Sequence, residues 1–244
     1  MGVACTGSCD GSTFGWWLAL TLVASSVLAS NIERLADYTA SHPELRAAHH
    51  FLYDLRCPPK GQPKFVVMGI NPGETPNDWL LSPTPTEETS RYDFHVEAGP
   101  GRSAIRWSKA AQFFLDGADY VLAEIFFWSS RDGRHFRERF GELKSSPHLP
   151  MCTAMNKDLI EAYAPRAVIV PGIGSARLCQ SLYGVNHLGG LASTKGRLVE
   201  HFTDGRRPWI FTKHWTGSFG LSNEQRVQIR DYIRATTKAE SESG

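Results

Sequence analysis

The sequence predicts an α/β fold, a three-layer α/β/α arrangement around a central, mainly parallel four-stranded sheet. Three observations carry that expectation. Short apolar runs at Phe65–Ile70, Tyr120–Phe127, Ala167–Val170 and Trp209–Thr212 alternate with helix-compatible stretches, the pattern of strand–helix units that lay helices on both faces of a sheet. The run Phe65-Val66-Val67-Met68 is continuously apolar, as suits a strand covered on both faces. The first and last runs end abruptly in polar, glycine-bearing loops, and open α/β sheets hold their ligands at such carboxyl ends.

No stretch within the 244 residues reads as a linker, and no internal repeat is visible. The division is an apolar segment over 1–30, one α/β domain over 31–236, and a disordered tail over 237–244. The segment Trp16–Ala29 faintly resembles a secretory signal ending Ser25-Ser26-Val27-Leu28-Ala29. It lacks the positive leader of such signals and is too short to span a bilayer. A docked helix is the first reading of it and a misplaced start the second. Asn31–Leu55 reads as an amphipathic helix, and Pro83–Ser90 as a surface loop near the site.

The first strand runs into Gly69-Ile70-Asn71-Pro72-Gly73. Pro72 has no donor for a ladder and the glycines break the strand, so Asn71 stands at a strand end. On turn statistics alone it reads equally well as a structural turn residue. After Tyr120–Trp128, Arg131, Arg134, Arg137 and Arg139 crowd one segment, interleaved with Asp132 and Glu138. They form either a local positive patch or a solvated helix face. A helix carrying Asn156, Leu159 and Ile160 leads through Ala164-Pro165-Arg166 to the third strand, after which Gly172-Ile173-Gly174-Ser175-Ala176 opens another helix. The last strand runs into Lys213-His214-Trp215-Thr216-Gly217-Ser218-Phe219-Gly220-Leu221-Ser222. A helix follows over Asn223–Arg234, with Ser222 at the N-cap and Gln225 at the capping-box position.

These loops, in this order, resemble the motifs of the uracil-DNA glycosylase superfamily from about Lys64 to Ile233. Gly69-Ile70-Asn71-Pro72-Gly73 looks like the first motif of its mismatch-specific and single-strand-selective branches. His214, the Ser/Gly loop, Leu221 and Ser222 are similar to the second motif, and Met151–Leu182 to the middle pattern.

The resemblance implies a monofunctional DNA glycosylase that hydrolyses the N-glycosidic bond of uracil or a related damaged base, with no metal and no cofactor. It implies catalytic roles for Asn71 and His214. It further implies substrate contacts from Gly69, Ile70, Pro72, Gly73, Phe94 and Glu124, and DNA contacts from Gly172, Ser218, Leu221 and Ser222. Phe94, or else Tyr92, would stack on the flipped base, each being otherwise an ordinary packing aromatic. Leu221 would wedge into the vacated stack, or else pack as a staple for the helix that follows. Gly73 occupies the place of the tyrosine that excludes 5-substituted uracils in the most uracil-exclusive branch, so bulkier bases should fit. Asn71 in place of an aspartate implies a slower enzyme. The partner implied is single- or double-stranded DNA with a flipped base, met by a monomer away from any membrane, in the cytoplasm or in a eukaryotic nucleus.

Two departures bear on the substrate. The superfamily reads uracil with an asparagine on the second strand, where this chain has Glu124. An ionised carboxylate only accepts hydrogen bonds. Burial could keep it protonated, the base could differ from uracil, or the register could be displaced. The second motif also carries Trp215-Thr216-Gly217 in place of Pro-Ser.

The net charge of +1 is small for a nucleic-acid binder. It keeps open two rivals, a nucleoside-directed small-molecule hydrolase and a catalytically silent DNA-binding relative. Five cysteines, an odd number, argue against a secreted disulfide framework. They lack the Cys-x-x-Cys pair of the superfamily's iron–sulfur branches, and there is no zinc-deaminase signature.

Overall fold

In the computed structural model the described residues are 27, 30–46, 48, 63–73, 102–194, 196–216 and 220–239, with 102–105 and 239 described in backbone only. They begin with a helix over 30–41 (α1) and a 3-10 turn over Pro43–Leu45. Then follow β1 (Phe65–Gly69), α2 (Arg102–Phe114), β2 (Tyr120–Glu124), α3 (Gly133–Phe140) and α4 (Leu149–Tyr163). The chain continues through β3 (Ala167–Pro171), α5 (Ala176–Tyr183), β4 (Asn186–Ser193), β5 (Gly196–Thr203), β6 (Pro208–Thr212) and α6 (Asn223–Ala239).

The strands form one sheet in the order β2-β1-β3-β6-β5-β4. The first four are parallel, and β5 and β4 add antiparallel pairs at one edge. The sheet therefore has six strands, not the four expected. Strand periodicity sorts the side chains between two cores. Val66, Met68, Val121, Ala123, Val168, Val170 and Phe211 face a cluster built with α1, α3, α4 and α5. Phe65, Val67, Tyr120, Leu122, Ala167, Ile169 and Ile210 face a cluster built with α2 and α6. Helices thus flank both faces of an α/β sheet.

Three further expectations are corrected. The second strand leaves the regular ladder at Glu124 rather than Phe127, although Ile125 and Phe126 still donate to the Gly69 and Ile70 carbonyls (both 2.9 Å). The amphipathic helix does not run unbroken to Leu55: α1 ends at Ser41 and a 3-10 turn starts at Pro43, because proline disfavours helical backbone at the residue before it. The tail does not begin at Thr237. That residue is helical and buried, and its hydroxyl donates to the Ile233 carbonyl at 2.9 Å, so α6 runs on to Ala239.

Candidate active site

The parallel strands bring four loops to one edge of the sheet. Gly69 pairs with Glu124, and Pro171 pairs with Thr212. Continuing the β1–β3 register from Val67 and Ile169 sets Gly69 level with Pro171. Glu124, Gly69, Pro171 and Thr212 therefore make one row across the carboxyl ends. Asn71 and His214 each lie two residues beyond that row, on strands separated only by β3. Two inter-strand spacings put the strand ends about 10 Å apart, the span of a nucleoside.

The Asn71 turn is held rigidly against the segment that follows β2. Ser130 donates its N–H to the Pro72 carbonyl at 3.1 Å, and Gly73 bridges to Ser130. The Asn71 Nδ2 donates to Ser130 Oγ (2.8 Å) and to the Pro72 carbonyl (3.0 Å), with the Trp128 carbonyl further off at 3.5 Å. Three acceptors around one nitrogen settle which end of the amide is which. Among the described residues no donor reaches Oδ1.

His214 sits on a loop pinned from both sides. Lys213 donates its N–H to the Leu198 carbonyl at 3.0 Å, tying the loop to β5. Trp215 is only 3% exposed and stacks on Phe114 with ring centroids 5.0 Å apart, near Trp107 at 5.8 Å. Trp215, which opens the departure from the expected motif, is thus an anchor driven into the second core. The backbone N–H of Thr216 points at His214 Nδ1 (3.3 Å). A nitrogen that accepts from an amide carries no proton, so this contact assigns the proton to Nε2. The ring reaches solvent, yet its partial desolvation lowers its pKa from the ordinary histidine value. A neutral imidazole with an Nε2–H donor results.

Glu124 stands where the sequence register puts it, at the end of β2. Its side chain is buried, Oε2 has no hydrogen-bond partner among the described residues, and desolvation pushes the carboxyl well above the usual carboxylate range. Its backbone carbonyl accepts from Asn156 Nδ2 (2.8 Å), which also donates to the Tyr183 hydroxyl (3.1 Å). Asn156, on α4, therefore fixes the end of β2. A protonated Glu124 offers one O–H donor and one carbonyl acceptor, the same pair that an amide presents.

The remaining expected residues are distributed as follows. Ile70 is 41% exposed at the mouth of the edge, and a Cβ added at Gly172 would stand 4.0 Å from its Cδ1. Pro72 is buried, and a Cβ at Gly73 would meet no atom within 4 Å among the described residues. Leu221 is half-buried against the second core. Ser222 and Gln225 form a reciprocal capping box, Ser222 N–H to Oε1 at 3.1 Å and Gln225 N–H to Oγ at 3.2 Å. Tyr92, Phe94 and Ser218 lie outside the described residues.

Of the arginine cluster, Arg134 pairs with Glu138 in the open and Arg139 donates to the Ser129 carbonyl at 3.2 Å. Arg131 and Arg137 are exposed. Sequence reasoning missed Ser130, whose one cue was a Ser-Ser pair directly after a long apolar run.

A cleft of about 380 Å³ lies elsewhere, at the amino ends of the strands, between Lys64, Phe65, Phe114, Arg166 and Ile233. None of Asn71, Glu124 or His214 lines it. Cys152 and Cys179 are buried free thiols pushed up to about 12 by desolvation, so they pack rather than react.

No protein-family model matches the chain, and no curated protein matches it. Among the described residues no helix is long and apolar enough to cross a membrane.

Proposed function

We propose that this protein is a monofunctional DNA glycosylase that releases uracil or a related altered base. The observation that carries the reading is the pairing of an oriented amide and an Nε2-protonated imidazole at one height, on strand ends about 10 Å apart.

Cleavage of an N-glycosidic bond leaves positive charge on the sugar and negative charge on the departing base. The Nε2–H of His214 donates to the base O2, where the negative charge develops. The Oδ1 of Asn71 holds and orients a water below the sugar, which suffices against a reactive oxocarbenium ion. Neutral Glu124 presents its carbonyl to the N3–H of the base and its O–H to O4. Among the described residues nothing stands within 4 Å of a Cβ at Gly73, which leaves room for a 5-substituent. Exposed Arg131, the residue after the Ser130 that holds Asn71, supplies positive charge for a phosphate.

The reading is tested with oligonucleotides carrying uracil, hypoxanthine, xanthine or 5-hydroxymethyluracil, treated with the protein and then with alkali. Strand breaks that need both treatments are expected. Failure on every base, in single and double strands, removes the reading. The net charge of +1 favours one rival, a hydrolase of free nucleosides. That rival predicts cleavage of nucleosides and little salt dependence of binding.

A further inference from the structure

We propose that His42, Glu44 and His148 bind one divalent transition-metal ion of the zinc class, bracing the amino-terminal helix against the segment behind the Asn71 turn. One ligand atom from each residue lies within 4.8 Å of the other two, and His148 Nε2 stands 3.6 Å from Glu44 Oε1. In a tetrahedral zinc site with bonds near 2.0–2.2 Å the ligand atoms are about 3.3 Å apart. Side-chain adjustments of about an ångström would close the site. Two imidazoles and a carboxylate suit zinc, cobalt or nickel, whereas magnesium and calcium select oxygen donors.

The surroundings are already arranged for ligation. The Nδ1 of His42 lies 2.8 Å from the Tyr38 carbonyl. A carbonyl only accepts, so Nδ1 carries the proton and Nε2 keeps its lone pair. The Nδ1 of His148 lies 3.1 Å from the hydroxyl of the same Tyr38. When Nδ1 donates to that hydroxyl, the Nε2 facing Glu44 is likewise free to ligate. One tyrosine thus orients both histidines from the side away from the ion, as supporting residues do in metal centres. The two imidazoles are perpendicular, with centroids 5.4 Å apart, so they meet edge to face rather than stacked. Trp128 and Phe126 pack around the buried His148 and limit its access to water. Glu44 is half exposed, which leaves the remaining coordination position to water.

The three residues come from the end of α1, the Pro43–Leu45 turn and the start of α4. An ion there would cross-link segments that are distant in the chain. Trp128 links this corner to the edge described above: its Nε1 donates to Thr39 Oγ1 at 3.1 Å, and its carbonyl faces the Asn71 amide. The ion would act on the rigidity of that wall and takes no part in base release.

The test uses the full chain, stripped of metal with a chelator and titrated with zinc alone in competition with a chromogenic chelator. One equivalent should bind and raise the melting temperature. His42→Ala and Glu44→Gln, both outside the core, should each weaken zinc binding by roughly a hundredfold or more while circular dichroism stays unchanged. Tyr38→Phe keeps the packing and the carbonyl but removes the hydroxyl, and should weaken zinc by roughly ten- to a hundredfold. The cobalt form should show no thiolate charge-transfer band, which separates this site from the cysteines. Absence of stoichiometric zinc, wild-type zinc affinity in both His42→Ala and Glu44→Gln, or a thiolate band would each overturn the proposal. All three results are independent of whether the protein cleaves DNA.

Discussion

Gly69 and Glu124 are register partners at the carboxyl ends of β1 and β2, and the glutamate carboxyl occupies the space that a side chain on residue 69 would need. A Cβ at Gly69 would overlap Oε2 and stand 2.8 Å from the carboxyl carbon. Gly69→Ala should therefore destabilise the protein by about 1–3 kcal/mol, the usual cost of overpacking. In a Glu124→Ala background the same change should cost less, with a coupling of about 0.5 kcal/mol or more. Chemical denaturation of the four proteins measures the cycle, and additive effects would place the carboxyl elsewhere.

Glu124 should also set a pH limit. Its pKa is raised in the folded protein by burial, so the folded state binds the proton more tightly than the unfolded chain does. The stability this contributes is full below the unfolded value and is lost as pH rises towards the raised folded value. Base release should fall over the same rise, because the ionised group can no longer donate to O4. Glu124→Gln, which keeps donor and acceptor at every pH, should flatten both profiles. Profiles of rate and melting temperature against pH that match between wild type and variant would take Glu124 out of the pocket.

His214→Ala should slow base release by roughly two to three orders of magnitude, the scale for losing one preorganised donor. Single-turnover rates decide it. A loss under threefold would remove the imidazole from the mechanism. Thermal stability should hardly change, because Trp215 and the Lys213 N–H, rather than His214, anchor the loop.

Asn71→Ala should abolish most turnover while binding to abasic DNA stays near that of wild type, since a water-orienting group acts in the chemical step. Ser130→Ala leaves the Asn71 amide present but less firmly oriented, and should cost roughly tenfold in rate with no loss of DNA affinity. Equal losses of rate and affinity in Asn71→Ala would mark a residue that grips DNA or holds the turn.

The parallel half of the sheet was legible because its strands are buried on both faces, and burial writes itself as continuous apolar runs such as Phe65–Met68 and Ala167–Val170. The antiparallel hairpin β4–β5 was not. Asn186–Ser193 is largely exposed, contains Gly189-Gly190, and carries Leu188 at 61% exposure, so no hydrophobic period announces it. Its place as a strand depends on pairing with β5, and at Gly190 on the absence of a Cβ that would overlap the Val199 carbonyl.

At the carboxyl edge, local sequence determined where the chain must turn. Proline and glycine rules stop β1 before Asn71, and the Ser222–Gln225 pair starts α6 with its capping box. Only the tertiary structure decided what those turns hold. The direction of the Asn71 amide depends on Ser130, the tautomer of His214 on the Thr216 N–H, and the protonation of Glu124 on the neighbours that bury it. The corner formed by His42, Glu44 and His148 likewise arises from segments far apart in the chain, with no spacing to mark it. Turn and helix-start preferences act over a few residues and can be read along the chain. Hydrogen-bond direction, desolvation and ligand convergence are set by groups that meet only when the sheet assembles.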